Sequence, residues 1–165
     1  LAMPKVLFLN GSVQCLAKLL PTPVDLFCRF FMPAKLIVRR NNKFELRHSG
    51  YDREMNVPFL SGCFMFLRVS ALKSEGIFDE RFFMYMEDVD LTRRLHAKHK
   101  TLFYPSVSIY HRFSRLSYHK WKLSLAHMAS VVKYFNKWGW IYDSSRRRFN
   151  KTLLKELKQQ TKDED

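Results

Sequence analysis

The sequence has no apolar run long enough to cross a bilayer, which needs roughly 18 to 20 residues. Its longest candidates, Leu26–Met32 and Cys63–Leu67, are short, and Arg29 interrupts the first. A basic stretch followed by an apolar one, the mark of a secretory leader, is missing too. Opening on Leu1 rather than Met reads as a fragment or a processed chain. Cysteine is scarce and odd in number. Cys15, Cys28 and Cys63 follow no ligand-like spacing and sit among apolar neighbours, so buried free thiols in a reducing compartment are expected. Only 5 Gly and 6 Pro serve the whole chain, so each position carries information about a turn or a break. Internal repeats and low-complexity segments are absent. Acids are in short supply, with 15 against 29 Lys and Arg, a net charge of +14.

What is present argues for a folded domain. Hydrophobic residues make up 47% and aromatics 15%, far from a disordered composition, and 165 residues suffice for one sizeable core. The charge is unevenly spread. Residues 51–111 carry 8 basic and 8 acidic side chains, residues 1–50 carry 8 and 2, and residues 112–151 carry 10 and 1. Six of the acids fall between Glu75 and Asp90. A basic body around an acidic pocket suits an enzyme that handles anionic substrates near an anionic surface.

The chain reads as α/β. Val6–Leu9 looks like a strand that meets a turn at Asn10-Gly11, and Val24–Met32 like a short helix stopped by Pro33. Arg39–Asn56 lacks periodicity and reads as a loop. The dense apolar run after Pro58 predicts a buried strand over Cys63–Val69, with Ser70 capping a short helix that Gly76 ends. A helix is expected from about Glu87, with Leu91 and Leu95 facing inward. Thr101–Tyr104 and Val107–Tyr110 read as two strands split by Pro105. Trp121, Leu125, Met128, Val132 and Phe135 form a helical stripe accompanied by Lys120, Lys122, Lys133 and Lys137. Phe149, Leu153 and Leu157 mark a last helix over Arg146–Gln160.

The chemistry concentrates in Phe78–Asp90, where an aromatic loop runs into Glu87, Asp88 and Asp90. Three acids at a helix start can be simple dipole partners. Aromatic walls beside them change the picture, because a sugar pocket stacks ring faces on aromatics and uses polar groups to orient hydroxyls. Such surroundings also raise a carboxyl pKa toward that of a useful base. His111 closes a predicted strand and is the one histidine whose place suggests a metal ligand; His48, His96, His99, His119 and His127 share no ligand spacing.

Three spaced motifs resemble glycosyltransferase family 2, and rhamnosyltransferase-like members of bacteria in particular. They are Phe59-Leu60-Ser61-Gly62-Cys63-Phe64-Met65, Gly76-Ile77-Phe78-Asp79-Glu80, and Phe82 through Leu91 with its Glu87-Asp88-Val89-Asp90. Pro4-Lys5-Val6-Leu7, Asn10 through Gln14, Tyr104-Pro105 and Tyr110-His111 add to the likeness, which spans Leu1 to Trp138. The resemblance implies part of a GT-A (nucleotide-diphospho-sugar transferase) fold, a mixed sheet flanked by helices. Residues 1–111 would form the acceptor-side half of the catalytic domain, 112–160 a basic amphipathic helical extension, and 161–165 a frayed tail. It implies inverting transfer from a nucleotide-activated sugar, such as a rhamnosyl donor, to a glycan or lipid-linked acceptor. Asp88 matches the family's general base, and Ser61, Gly62, Phe83, Tyr85, Glu87 and Asp90 the sugar site. His111 matches a position that in some relatives helps hold the metal.

Two departures qualify that match. No Gly stands near His99-Lys100, and no Asp-x-Asp metal motif is present beyond the Asp88-Val89-Asp90 of the base region. A divalent metal, Mn or Mg, is therefore expected in an intact enzyme and not tightly bound to this chain alone, which would also self-associate along an unpaired sheet edge. A cytoplasmic place at the inner face of a bacterial membrane follows from the lipid-linked acceptor and the basic tail. Competing classes are a noncatalytic interaction domain and a basic nucleic-acid-binding module; no recognised nucleic-acid motif supports specific binding.

Overall fold

A computed structural model describes residues 1–112 and 121–162. In chain order the elements are β1 (Ala2–Leu7), β2 (Ala17–Lys18), α1 (Pro23–Phe31), α2 (Ala34–Phe44), β3 (Met55–Asn56) and β4 (Phe59–Leu60). Then follow α3 (Val69–Glu75), α4 (Glu87–His96), β5 (Leu102–Tyr110), α5 (Trp121–Trp138) and α6 (Ser144–Lys162). This is an α/β fold with a mixed sheet in the order β1-β5-β3, where β5 runs parallel to β1 and antiparallel to β3. A two-stranded antiparallel pair, β2-β4, lies beside it. Among the described residues no helix is long and apolar enough to cross a membrane.

Several expectations need correction. Cys63–Val69 is not a buried strand: it makes a single antiparallel bridge, Phe66 to Ala2, and Phe66 is 73% exposed. An apolar run does not become a strand without backbone partners on its flanks. Arg39–Asn56 is not a loop throughout. α2 extends to Phe44, and only Ile37 and Phe44 along it are buried apolar groups, a seam too narrow to stand out among the charges. β5 is one strand, not two. Pro105 is absorbed by a bulge, since Pro4 pairs with Tyr104 while Lys5 pairs with Ser108. α3 starts two residues early, with Arg68 as its N-cap and no side-chain cap from Ser70.

The C-terminal helices share the main core. Tyr134, Phe135, Leu153 and Leu157 pack in one cluster with Met3, Val6, Leu60 and Phe103. The expected apolar stripe of α5 holds at Phe135, which is buried, but Trp121, Leu125 and Val132 are exposed, and Ser130 and Tyr134 are buried instead. The reason is polar. Tyr134 accepts a 3.1 Å hydrogen bond from the buried Arg93, and Trp138 lies under the same guanidinium at 3.9 Å. α6 runs to Lys162, so the expected fraying falls on 163–165, outside the described residues, as does Lys120.

α4 carries two buried charges that fasten it. Asp90 accepts from Arg94 Nε at 2.9 Å, Trp138 Nε1 at 2.7 Å and Lys137 Nζ at 2.7 Å. One turn on, Arg93 donates to both oxygens of Asp143, at 2.8 and 2.5 Å, just before α6. Removing one partner of such a pair leaves a buried charge alone, at a cost of about 3–5 kcal/mol. Asp143→Ala should lose that much in chemical denaturation. The double variant Arg93→Met, Asp143→Leu should recover most of it; equal losses would show that shape, not charge, holds this contact.

Candidate functional site

α4 begins without a side-chain cap. Its N-cap is Met86 at φ +67°, preceded by Tyr85 at φ +63°. Two consecutive left-handed residues other than glycine are each disfavoured by about 1–3 kcal/mol and persist only where packing fixes them. Here Met86 is buried and the Tyr85 ring stacks on His127 of α5, with centroids 4.3 Å apart. This sharp entry turns Tyr85, Glu87 and Asp88 toward one cavity of about 250 Å³. Its other walls are Leu16, Lys18, Pro21, Leu26, Arg29, Phe44, Phe59, Ser61 and His127, apolar save for a few polar groups. That is the common build of a small-molecule site.

Asp88 is tightly held. Oδ2 accepts from the Gly62 backbone N–H at 2.9 Å, and Oδ1 from Val89 N–H at 2.8 Å. Glycine suits the close approach: a Cβ at 62 would stand 3.2 Å from the Asp88 Cβ and push one of the two aside by a few tenths of an ångström. Burial nevertheless raises the Asp88 pKa against the opposing effect of these two bonds and of Lys18. Glu87 is raised as well, by burial and then by Asp88, and its Oε2 is buried with no hydrogen-bond partner. The space thus holds carboxyls that gain by sharing a proton with an incoming hydroxyl. His127 is pushed down to about 4 by burial and by Arg29, so it faces the cavity as a neutral ring.

The other expected residues divide. Ser61 and Tyr85 line the cavity with Glu87 and Asp88; Gly62 touches it through Asp88. Phe83 is 79% exposed and not part of the wall, and Asp90 is spent on Lys137, Arg94 and Trp138. His111 lies elsewhere, with Nδ1 3.2 Å from the Gln14 side-chain oxygen. Sequence reasoning missed Lys18, Arg29, Phe44, Phe59 and His127. They come from five separate elements, and only Phe59 falls within a motif, at the start of Phe59–Met65; His127 read as surface or core.

A raised folded-state pKa gives a definite sign. Between the ordinary carboxylate range and the raised value the folded chain binds more protons than the unfolded one, so stability falls as pH rises through that window. Asp88→Asn removes its share. Urea melts at a series of pH values should show the variant gaining on the wild type as pH rises. If Asp88 served only the helix dipole, the variant would instead lose about 1 kcal/mol near neutrality.

Comparison with known proteins gives a limited but pointed result. No protein-family model matches the chain, and no solved structure does. A 59-residue stretch is 48% identical to N-acetylglucosaminyl-diphospho-decaprenol L-rhamnosyltransferase of Mycobacterium tuberculosis, from strains CDC 1551 / Oshkosh and ATCC 25618 / H37Rv alike. The stretch is 35% of this chain, and the chain spans only 19% of that relative's length. The chain is therefore similar, over about a third of its length, to a glycosyltransferase.

Proposed function

We propose that the chain supplies the acceptor side and the catalytic base of an inverting, nucleotide-sugar-dependent glycosyltransferase of GT-A fold. One observation carries the reading: a carboxylate with a burial-raised pKa, fixed by the Gly62 N–H, faces a cavity walled by Tyr85, Phe44, Phe59 and His127. The stretch shared with a rhamnosyltransferase supports it. In the reaction an acceptor hydroxyl sits against Asp88, which takes its proton as the oxygen attacks the donor's anomeric carbon. The bond from that carbon to the diphosphate breaks on the opposite side, and the nucleoside diphosphate leaves with its electron pair. Neutral His127 and the Tyr85 ring orient the acceptor sugar.

For a metal, His111 offers one ring nitrogen beside Gln14, and among the described residues no group of three His, Cys, Asp or Glu is placed to hold an ion. For a lipid-linked acceptor, the exposed Trp121, Leu125 and Val132 of α5, with Lys122 and Lys133 beside them, fit an anionic membrane surface.

The decisive measurement is steady-state transfer by the intact enzyme. Asp88→Asn should cut turnover by about 10²- to 10⁴-fold with little change in donor binding. Turnover within a few-fold of wild type would remove Asp88 from the base role. Asp90→Asn should lower the melting temperature more than it lowers the rate per folded molecule, because Asp90 faces α5 and not the cavity.

A further inference from the structure

A second cavity, about 540 Å³, adjoins the one that Asp88 faces and shares Leu16, Lys18 and Arg29 with it. Its charge is unbalanced. Lys18, Arg29 and Arg47 line it together with a single acid, Glu45. Glu45 is bound twice already, by Arg29 at 2.9 Å and Arg47 at 2.7 Å. Lys18 is left over: its ammonium lies 5.9 Å from the Phe44 ring centroid and 5.6 Å from that of Phe59, with no hydrogen bond or ion pair among the described residues. Cavity walls with two positive charges in excess, and the side-chain amide of Asn41, call for an anion of about two negative charges. Burial and Arg29 depress Lys18 to about 8, as expected of a cation waiting for a counter-charge.

We infer that Lys18 and Arg29 form a diphosphate-binding site, on which a sugar diphosphate rests its phosphates while its sugar ring occupies the cavity at Asp88. The phosphate half stands on charge and shape alone, and only the placing of the sugar rests on the transferase reading. Two substrates carry this chemistry, a lipid-linked acceptor and a nucleotide donor. The shared wall at Lys18 and Arg29 lets one molecule span both cavities in either case.

The test is calorimetry with inorganic pyrophosphate on the full chain. Lys18→Gln removes the charge without orphaning an ion-pair partner, so a thermal melt should match the wild type within a few degrees, and the variant should weaken pyrophosphate at least tenfold. Lys151→Gln, on the exposed face of α6, removes the same charge and should change nothing. No saturable binding, or equal losses in the two variants, overturns the site and leaves only diffuse attraction to a basic surface. Displacement of pyrophosphate by farnesyl diphosphate but not by a nucleoside diphosphate assigns the site to the acceptor; the reverse pattern assigns it to the donor. An active Asp88→Asn enzyme would undo the base assignment and leave the pyrophosphate result standing.

Discussion

Everything at the site depends on α4 being unable to roll or slide. A ten-residue helix with only Val89, Leu91 and Leu95 as its buried apolar side chains has little to prevent either motion. The constraint comes from charge. Asp90 and Arg93 are both buried, each is paired with groups from the C-terminal region, and each pair is ruined by a shift of an ångström or two. Arg94 adds a third tie, donating to the Ile77 carbonyl at 2.6 Å as well as to Asp90. The first turn of the helix can then present two poorly solvated carboxyls to an open cavity without the helix turning them back into water.

The electrostatics of the cavity follow from the same economy of solvent. Burial raises Glu87 and Asp88 and lowers Lys18 and His127, so these four groups are pushed toward their neutral forms. Lys18 and Asp88 favour each other's charge but do not form an ion pair. A collapsed pair would fill the space and satisfy both groups, and the aromatic rings around Lys18 keep it back. The result is polar groups held ready and unquenched, which is what a site for a polyhydroxylated, phosphorylated molecule requires.

Much of this was legible in the sequence where a local signal existed. The start of α4, the stop of α1 before Pro33, the glycine at 62 and the acids that follow an aromatic loop were all visible as motifs. The family likeness puts Gly62 in the sugar site, and in the structure its backbone packs against Asp88 and donates to it. What failed were judgements that depend on distant partners. The Cys63–Val69 run has the composition of a strand but only one bridge, and α5 buries the face that meets Arg93 and not the more apolar one. Lys18, Arg29 and His127 are ordinary residues until the fold gathers them. The 59 residues shared with a rhamnosyltransferase are too small a part of either chain to replace that gathering by inference.

The left-handed pair at Tyr85 and Met86 has a bearing on the order in which the molecule assembles. Nothing local favours that turn: its offsets are the burial of Met86, the stack on His127, and the grip of Lys137 on Asp79 and of Lys133 on the Arg81 carbonyl. All but the first come from α5, about fifty residues away in sequence. The aromatic loop can therefore settle only after α5 has docked, late in folding, and should be the first part to open again. Amide exchange would then find the turn before α4 less protected than the β1-β5 ladder. A cavity whose own wall is the last thing to close can open to a bulky molecule without disturbing the core.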